Sequence, residues 1–241
     1  MNLILLFPDD FVEGAGHEDG GIVRLTGRRC RHVQEIQRAE VGDELCVGRI
    51  GGRIGRGRVI RIDADLLEME VRLEREPPAP LPVTLLLALP RPLVLKRVLL
   101  GATAMGVKKI LLFHCNRVER SFWNSKVLRE DALPVPLVLG LEQSVDTCMP
   151  EVLLRTRFKS LVEDELADLA AGTLRLVAHP EAARPCPREV EGRVTLVVGP
   201  EGGFVPYEIE QLEGCGFSPV ALGERILRVE SAVPVLLARL F

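Results

Sequence analysis

The chain has 241 residues, with 31 Lys and Arg against 34 Asp and Glu, a formal net charge of −3 at pH 7. At 47% hydrophobic and 27% charged it is a globular composition, which excludes a disordered chain and one that holds polyanions by bulk charge. Only 4% is aromatic, so the core must be Leu, Val and Ile, and the longest apolar runs are far too short to span a bilayer.

Met1–Phe7 is apolar, has no basic lead-in and runs into Asp9 and Asp10, so a first strand is expected here rather than a secretion signal. Gly21–Leu25, Arg58–Ile62 and Leu67–Leu73 alternate at the period of strands, Val41–Gly48 reads as a turn followed by a strand, and Arg28–Ala39 fits a short helix between them. Short strands with glycine turns predict a small β-barrel. Glu76–Pro82 then holds four prolines in seven residues, which suits extended chain and neither helix nor central strand. Residues 1–76 contain 12 Arg and no Lys, whereas the remainder has long Leu and Val runs. A boundary is therefore expected, with domains at 1–76 and 83–241 and a linker at 77–82; the bland alternative is a proline-rich loop inside one domain.

Beyond the linker, Val83–Leu89, Val107–Phe113, Thr173–Ala178, Val194–Val198 and Ser218–Leu222 read as buried strands. Leu93–Met105, capped by Gly106, and Lys126–Leu141, broken at Pro134 and Pro136, read as helices. So do Phe158–Ala171, Pro206–Glu213 and Glu230–Leu240. Strands alternating with helices predict an α/β domain with a parallel sheet.

From Arg24 to Arg61 there are ten arginines and four acids. Arginine forks pair with phosphate, so Arg28, Arg31, Arg49, Arg53, Arg56 and Arg58 are candidate RNA contacts, against the alternative of a solvated hairpin paired with nearby acids. The stretch holds no Phe, Tyr or Trp, which argues against base stacking. Gly14-Ala15-Gly16 starts like a dinucleotide loop, but Asp19 stands where the third glycine belongs. Neither a phosphate-binding P-loop nor a GxSxG nucleophile turn is present. The six cysteines (30, 46, 115, 148, 186, 215) and four histidines (17, 32, 114, 179) are scattered, so buried thiols of a reducing compartment are expected and no metal site.

Three strand ends carry loops: Ala178-His179-Pro180, Gly199-Pro200-Glu201-Gly202-Gly203 and Leu222 through Ala232. Each alone is an ordinary turn. Together at the carboxyl edge of one sheet they suggest a ligand pocket.

GPEGG at 199–203, LGxRILRxE at 222–230 and the following Ser231-Ala232 resemble the bacterial 16S ribosomal RNA (uracil-N3) methyltransferases, of the SPOUT class. Arg31-His32 through Gly42-Asp43, Met105-Gly106-Val107, Arg120-Ser121 and Glu142-Gln143-Ser144 extend the resemblance over nearly the whole chain. It implies a trefoil-knotted α/β domain behind a PUA-like RNA-binding barrel, working as a cytoplasmic homodimer on 16S rRNA or the small ribosomal subunit. The implied cofactor is S-adenosylmethionine, without a metal. The implied cofactor-binding residues are Ala178, His179, Pro180, Gly199, Pro200, Glu201, Gly202, Gly203, Leu222, Gly223, Ile226, Leu227, Arg228 and Ser231. Methylation at N3 requires loss of the imide proton, so Arg228 is a candidate to stabilise the anion, and Glu230 or Glu201 to take the proton or orient Arg228. Glu230 has the plain alternative of a first-turn helix carboxylate. Arg120 is a further candidate for RNA. The chain departs from the family pattern at Gly101, Ala104 and Asp146, the last a reversed charge where a phosphate contact is expected. These leave two alternatives open: an enzyme of this class acting elsewhere on RNA, or an RNA-binding relative without turnover.

Overall fold

The computed structural model describes residues 2–12 and 20–241, so Gly14–Gly16 and Asp19 lie outside the described residues. The chain forms two compact units: Met1–Ala79 with Val138–Met149, and Pro80–Leu137 with Pro150–Phe241.

The first unit is built on β1 (Ile4–Leu6), β2 (Gly20–Leu25), β3 (Glu44–Arg49), β4 (Ile54–Asp63) and β5 (Leu66–Arg75), paired in the order β1-β3-β4-β5-β2. β1 lies parallel to β3 and the other pairings are antiparallel. A single antiparallel bridge from Phe11 to Val23, with Val12 N–H donating to the Ile22 carbonyl at 2.9 Å, joins the chain beyond β1 to the far edge strand. β5 buries Leu67, Met69, Val71 and Leu73 and turns the residues between them outward, the period-two signature of a half-buried strand. α1 (Gly27–His32) continues as a π-helical turn at Val33–Gln37, which shortens the helix expected over Arg28–Ala39.

β1 is apolar throughout because both its faces are covered. Ile4 and Leu6 pack with Val23, Val47 and Met69, while Leu3 and Leu5 pack with Ile54 and Leu141. Leu141 belongs to α3 (Pro134–Ser144), whose residues from Val138 onward are part of this unit. The Glu142 carbonyl accepts the N–H groups of Asn2 and Leu3, both at 3.0 Å. The helix expected over Lys126–Leu141 thus starts at Pro134, where proline's fixed φ suits a first turn, preceded by a 3-10 turn at Lys126–Leu128.

The second unit holds β6 (Val83–Ala88), β7 (Lys109–Phe113), β8 (Glu151–Arg155), β9 (Leu174–Ala178), β10 (Val194–Val198) and β11 (Ser218–Val220). All pair in parallel, in the order β11-β9-β10-β6-β7-β8. The chain steps outward from β6 to β8, returns to lay down β9, and inserts β10 between β9 and β6. β8 has no counterpart among the strands read from sequence. It is a partly exposed edge strand, and its apolar run is only Val152-Leu153-Leu154 between Glu151 and Arg155. Its Arg155 Nε donates to both oxygens of Glu165, at 2.6 and 2.8 Å. That hydrogen bond lowers the Glu165 carboxyl and raises the guanidinium.

The helices of this unit are α2 (Pro92–Ala104), short α4 (Phe158–Ser160) and α5 (Leu166–Leu169) joined by a π turn at Leu161–Glu165, α6 (Pro206–Gly214) and α7 (Val229–Leu240). Gly106 ends α2 at φ +90, a conformation that favours glycine. α2 packs against α7, with Gly101 facing Pro234. Phe113 lies between Phe158 and Phe204, ring centroids 6.2 and 6.3 Å away. No helix of the described residues is long and apolar enough to cross a membrane.

Candidate active site

Because the six strands are parallel, their carboxyl ends share one edge of the sheet. A cavity of about 830 Å³ opens there, walled by the segments that leave β9, β10 and β11. Ala178, His179 and Pro180 form one part of its wall, Gly199, Pro200, Glu201, Gly202 and Gly203 a second, and Leu222, Gly223, Ile226, Leu227 and Arg228 a third. Ser231 is exposed in the first turn of α7, outside this lining. Glu230 is also outside it, with its carboxylate 3.5 Å from Arg97 Nη1 of α2. Of the three residues singled out for catalysis, Arg228 and Glu201 therefore reach the cavity wall.

The 199–203 segment is a tight turn, closed by Gly203 N–H donating to the Pro200 carbonyl at 2.8 Å, with Gly203 at φ +69. A Cβ at Gly199 would meet the Phe204 ring at 3.2 Å, so a side chain there would require that ring to give by a few tenths of an ångström. Neighbouring loops hold the turn. The Arg91 N–H donates to Glu201 Oε1 at 3.0 Å, and Arg117 donates to the Gly202 carbonyl. Behind it the buried Glu208 accepts the N–H groups of Asn116 and Val205. Burial pushes the neighbouring Cys115 thiol up to about 12, and the Glu208 charge adds to the effect. Arg91, Arg97 and Arg117 escaped the sequence reading because each lies far along the chain from the motif it supports, whereas Glu208 follows its motif closely but reads only as part of a helix start. The nearest signal is Val-Pro-Tyr-Glu at 205–208, a helix start with Glu in its third position.

The candidate RNA contacts divide. Arg28 makes a bidentate pair with Glu142, both bonds 2.9 Å, and Glu142 is only 1% exposed, so Arg28 braces the first unit rather than standing free for phosphate. Arg53 pairs with Glu76 at 2.8 Å and Arg49 stacks over Phe11 at 5.5 Å. Arg31, Arg56, Arg58 and Arg120 are exposed. The strand register sets acids beside some of the arginines: Arg58 lies between Glu44 and Glu70, and Arg61 opposite Glu68. Arg56 instead lies between Cys46 and Arg72. Asp146 is 3% exposed and accepts the Cys148 N–H at 2.9 Å, closing the turn after α3. It is a structural carboxylate and not a reversed phosphate contact.

Residues 77–241 match the model of the RNA methyltransferase domain family, so the loops around this cavity belong to a domain of that family. Over 230 residues the chain is 30% identical to ribosomal RNA small subunit methyltransferase E of Mycobacterium bovis, covering 91% of this chain and 86% of that one. The corresponding protein of Treponema pallidum is 25% identical over 237 residues, 96% and 87% of the two chains. This chain belongs to the ribosomal RNA small subunit methyltransferase E family. Its fold is shared with the Neisseria gonorrhoeae member solved bound to S-adenosyl methionine, at a TM-score of 0.73 and 22% identity over 99% of this chain and 95% of that one.

Proposed function

We propose that this protein transfers a methyl group from S-adenosylmethionine to N3 of a uridine in 16S rRNA. The observation that carries this reading is the convergence of three strand-end loops on one cavity. Its volume suits a ligand of this size. The turn at 199–203 brings backbone N–H and C=O groups close, as recognition of an adenine and ribose requires, and Leu222, Ile226 and Leu227 offer apolar surface. Ile226 is 81% exposed in the single chain, an apolar wall that a second copy in a homodimer would cover.

S-adenosylmethionine, when bound, supplies an electrophilic sulfonium methyl group. The neutral imide nitrogen of uracil has no available lone pair, so N3 must first lose its proton. We assign that proton to Glu201, which among the carboxylates lining the cavity (Glu181, Glu201 and Glu210) is the one in the glycine turn, one oxygen of which is already held by the Arg91 N–H. Arg228, at the start of α7, stabilises the negative charge that spreads onto a uracil carbonyl oxygen. Glu230, held by Arg97, serves the first turn of α7 instead.

The reading includes a trefoil knot, a PUA-like barrel and a cytoplasmic location. The 179–193 connection supports the knot: Cys186 N–H donates to Ala221, and Val190 N–H and Arg239 Nε tie the same connection to the end of α7, at 2.8, 2.7 and 2.8 Å. The Phe11–Val23 bridge, which joins the two edges of the first-unit sheet, supports the barrel. Tritiated S-adenosylmethionine and small ribosomal subunits from a deletion strain test the activity. Label at one uridine of 16S rRNA, located by a reverse-transcription stop, is expected. Label at another RNA position would move the target, and retained RNA binding without any transfer would overturn the assignment as an enzyme.

A further inference from the structure

Glu208 is 3% exposed, and its two oxygens serve two separate stretches of chain. Oε1 accepts the Asn116 N–H at 2.6 Å, in the loop after β7, and Oε2 accepts the Val205 N–H at 3.0 Å, just after the glycine turn. Arg117, the next residue after Asn116, donates to the Gly202 carbonyl inside the turn. Its aliphatic stem lies so near that a Cβ on Gly202 would stand 3.2 Å from Arg117 Cδ. The turn is thus gripped twice, at Gly202 and at Val205, and the Asn116-Arg117 peptide joins the two grips. Burying a carboxylate is costly unless donors satisfy it. Here both donors are loop amides, so the cost is met by bonds that fix loops and not by core packing.

We propose that Glu208 is a positioning residue which, with Arg117, presets the 199–205 turn in the shape that receives the adenosyl ligand, so that binding need not order the loop. The inference rests on reading the cavity as the S-adenosylmethionine site. In Glu208→Gln the amide NH2 meets one of the two N–H donors, which loses its acceptor. Hydrogen exchange on the unliganded protein reads the strap without any ligand, and the Asn116, Gly203 and Val205 amides should exchange roughly tenfold faster. In steady state, KM for S-adenosylmethionine should rise roughly tenfold, while kcat and KM for ribosomal subunits stay within about threefold. Loss of folded enzyme alone would lower kcat and leave KM unchanged. Arg117→Ala removes the second grip from an exposed side chain, so it carries the test if Glu208→Gln does not fold, and it should move KM in the same direction. The double variant should cost no more than about the larger single effect, because both act on one turn. Unchanged exchange, faster exchange with unchanged KM, or effects that multiply in the double variant would each overturn the proposal. If calorimetry of the wild-type protein with S-adenosylmethionine shows no binding, the ligand assignment falls, and the exchange rates still decide whether the turn is strapped.

Discussion

The loop edge of the second unit and the outward face of the first-unit sheet both stand out in the sequence, one by glycine and one by arginine. In the first region, runs such as 199–203 and 222–228 line a cavity largely as they are written, because a loop of consecutive residues stays together in space. In the second, charge counted along the chain misleads. Ten arginines outnumber four acids between residues 24 and 61, yet β5 sets Glu68 and Glu70 across from Arg61 and Arg58, and Arg24 bonds Glu68 at 2.6 Å. Contiguity protects a loop motif from the effects of folding, whereas the net charge of a sheet face is decided by which strand becomes its neighbour.

Breaking the loop edge should have the larger effect. Arg228→Ala is expected to slow transfer roughly a hundredfold or more while leaving S-adenosylmethionine affinity within about threefold, since its guanidinium is assigned to the developing anion. Single-turnover rates and calorimetry on the same preparation check this; equal losses in both would make Arg228 a wall of the pocket only. On the sheet side, two arginines of the same stripe should part company. Arg28→Ala leaves the buried Glu142 carboxylate unpaired and should cost about 2 kcal/mol of stability in urea unfolding, with Arg28 half exposed and the penalty reduced accordingly. Arg56→Glu should leave stability within about 0.5 kcal/mol and weaken RNA binding, flattening its salt dependence by about one charge. Arg58→Glu should weaken it less, because Glu44 and Glu70 already offset that position. The reverse order between Arg56 and Arg58 would show that the register does not govern the surface charge.

The same contrast explains how much was legible. Mostly apolar runs marked β6, β7 and β10, because strands covered on both faces need few polar residues, and β9 showed through Leu176-Val177-Ala178 despite Arg175. β8 was illegible, since an edge strand of Glu-Val-Leu-Leu-Arg carries too few apolar residues to stand out. Leu141 reads as one more apolar helix position, and nothing local says that it packs with Leu3, Leu5 and Ile54, more than eighty residues upstream. Asp146 reads as a surface charge of the wrong sign; only the closed turn to Cys148 makes it structural. Glu208 and Arg117 were missed for a related reason. Arg117 bonds the distant Gly202 carbonyl, which offers no partner residue type to search for, and the Val205-to-Glu208 spacing signals a helix start but not the second bond to Asn116.

The two regions also differ at their buried thiols, and pH separates them with the smallest effect. Burial raises both Cys30 in the first unit and Cys115 beside Glu208, the latter from 9.0 to about 12. Below an ordinary thiol pKa both folded and unfolded chains keep the proton, so stability is unaffected there. Above about 9 the unfolded chain loses the Cys115 proton and the folded chain keeps it, so stability falls as pH rises, until the folded thiol also ionises near 12. Between about pH 8 and pH 10 this group should remove about 1 kcal/mol. Cys115→Ala should abolish that part of the alkaline slope, so the stability it costs at pH 8 should be about 1 kcal/mol smaller at pH 10, read from urea midpoints at the two pH values. A slope that survives unchanged in Cys115→Ala would mean that the thiol ionises as freely in the folded chain as in the unfolded one, and that the pocket around Glu208 is open to water.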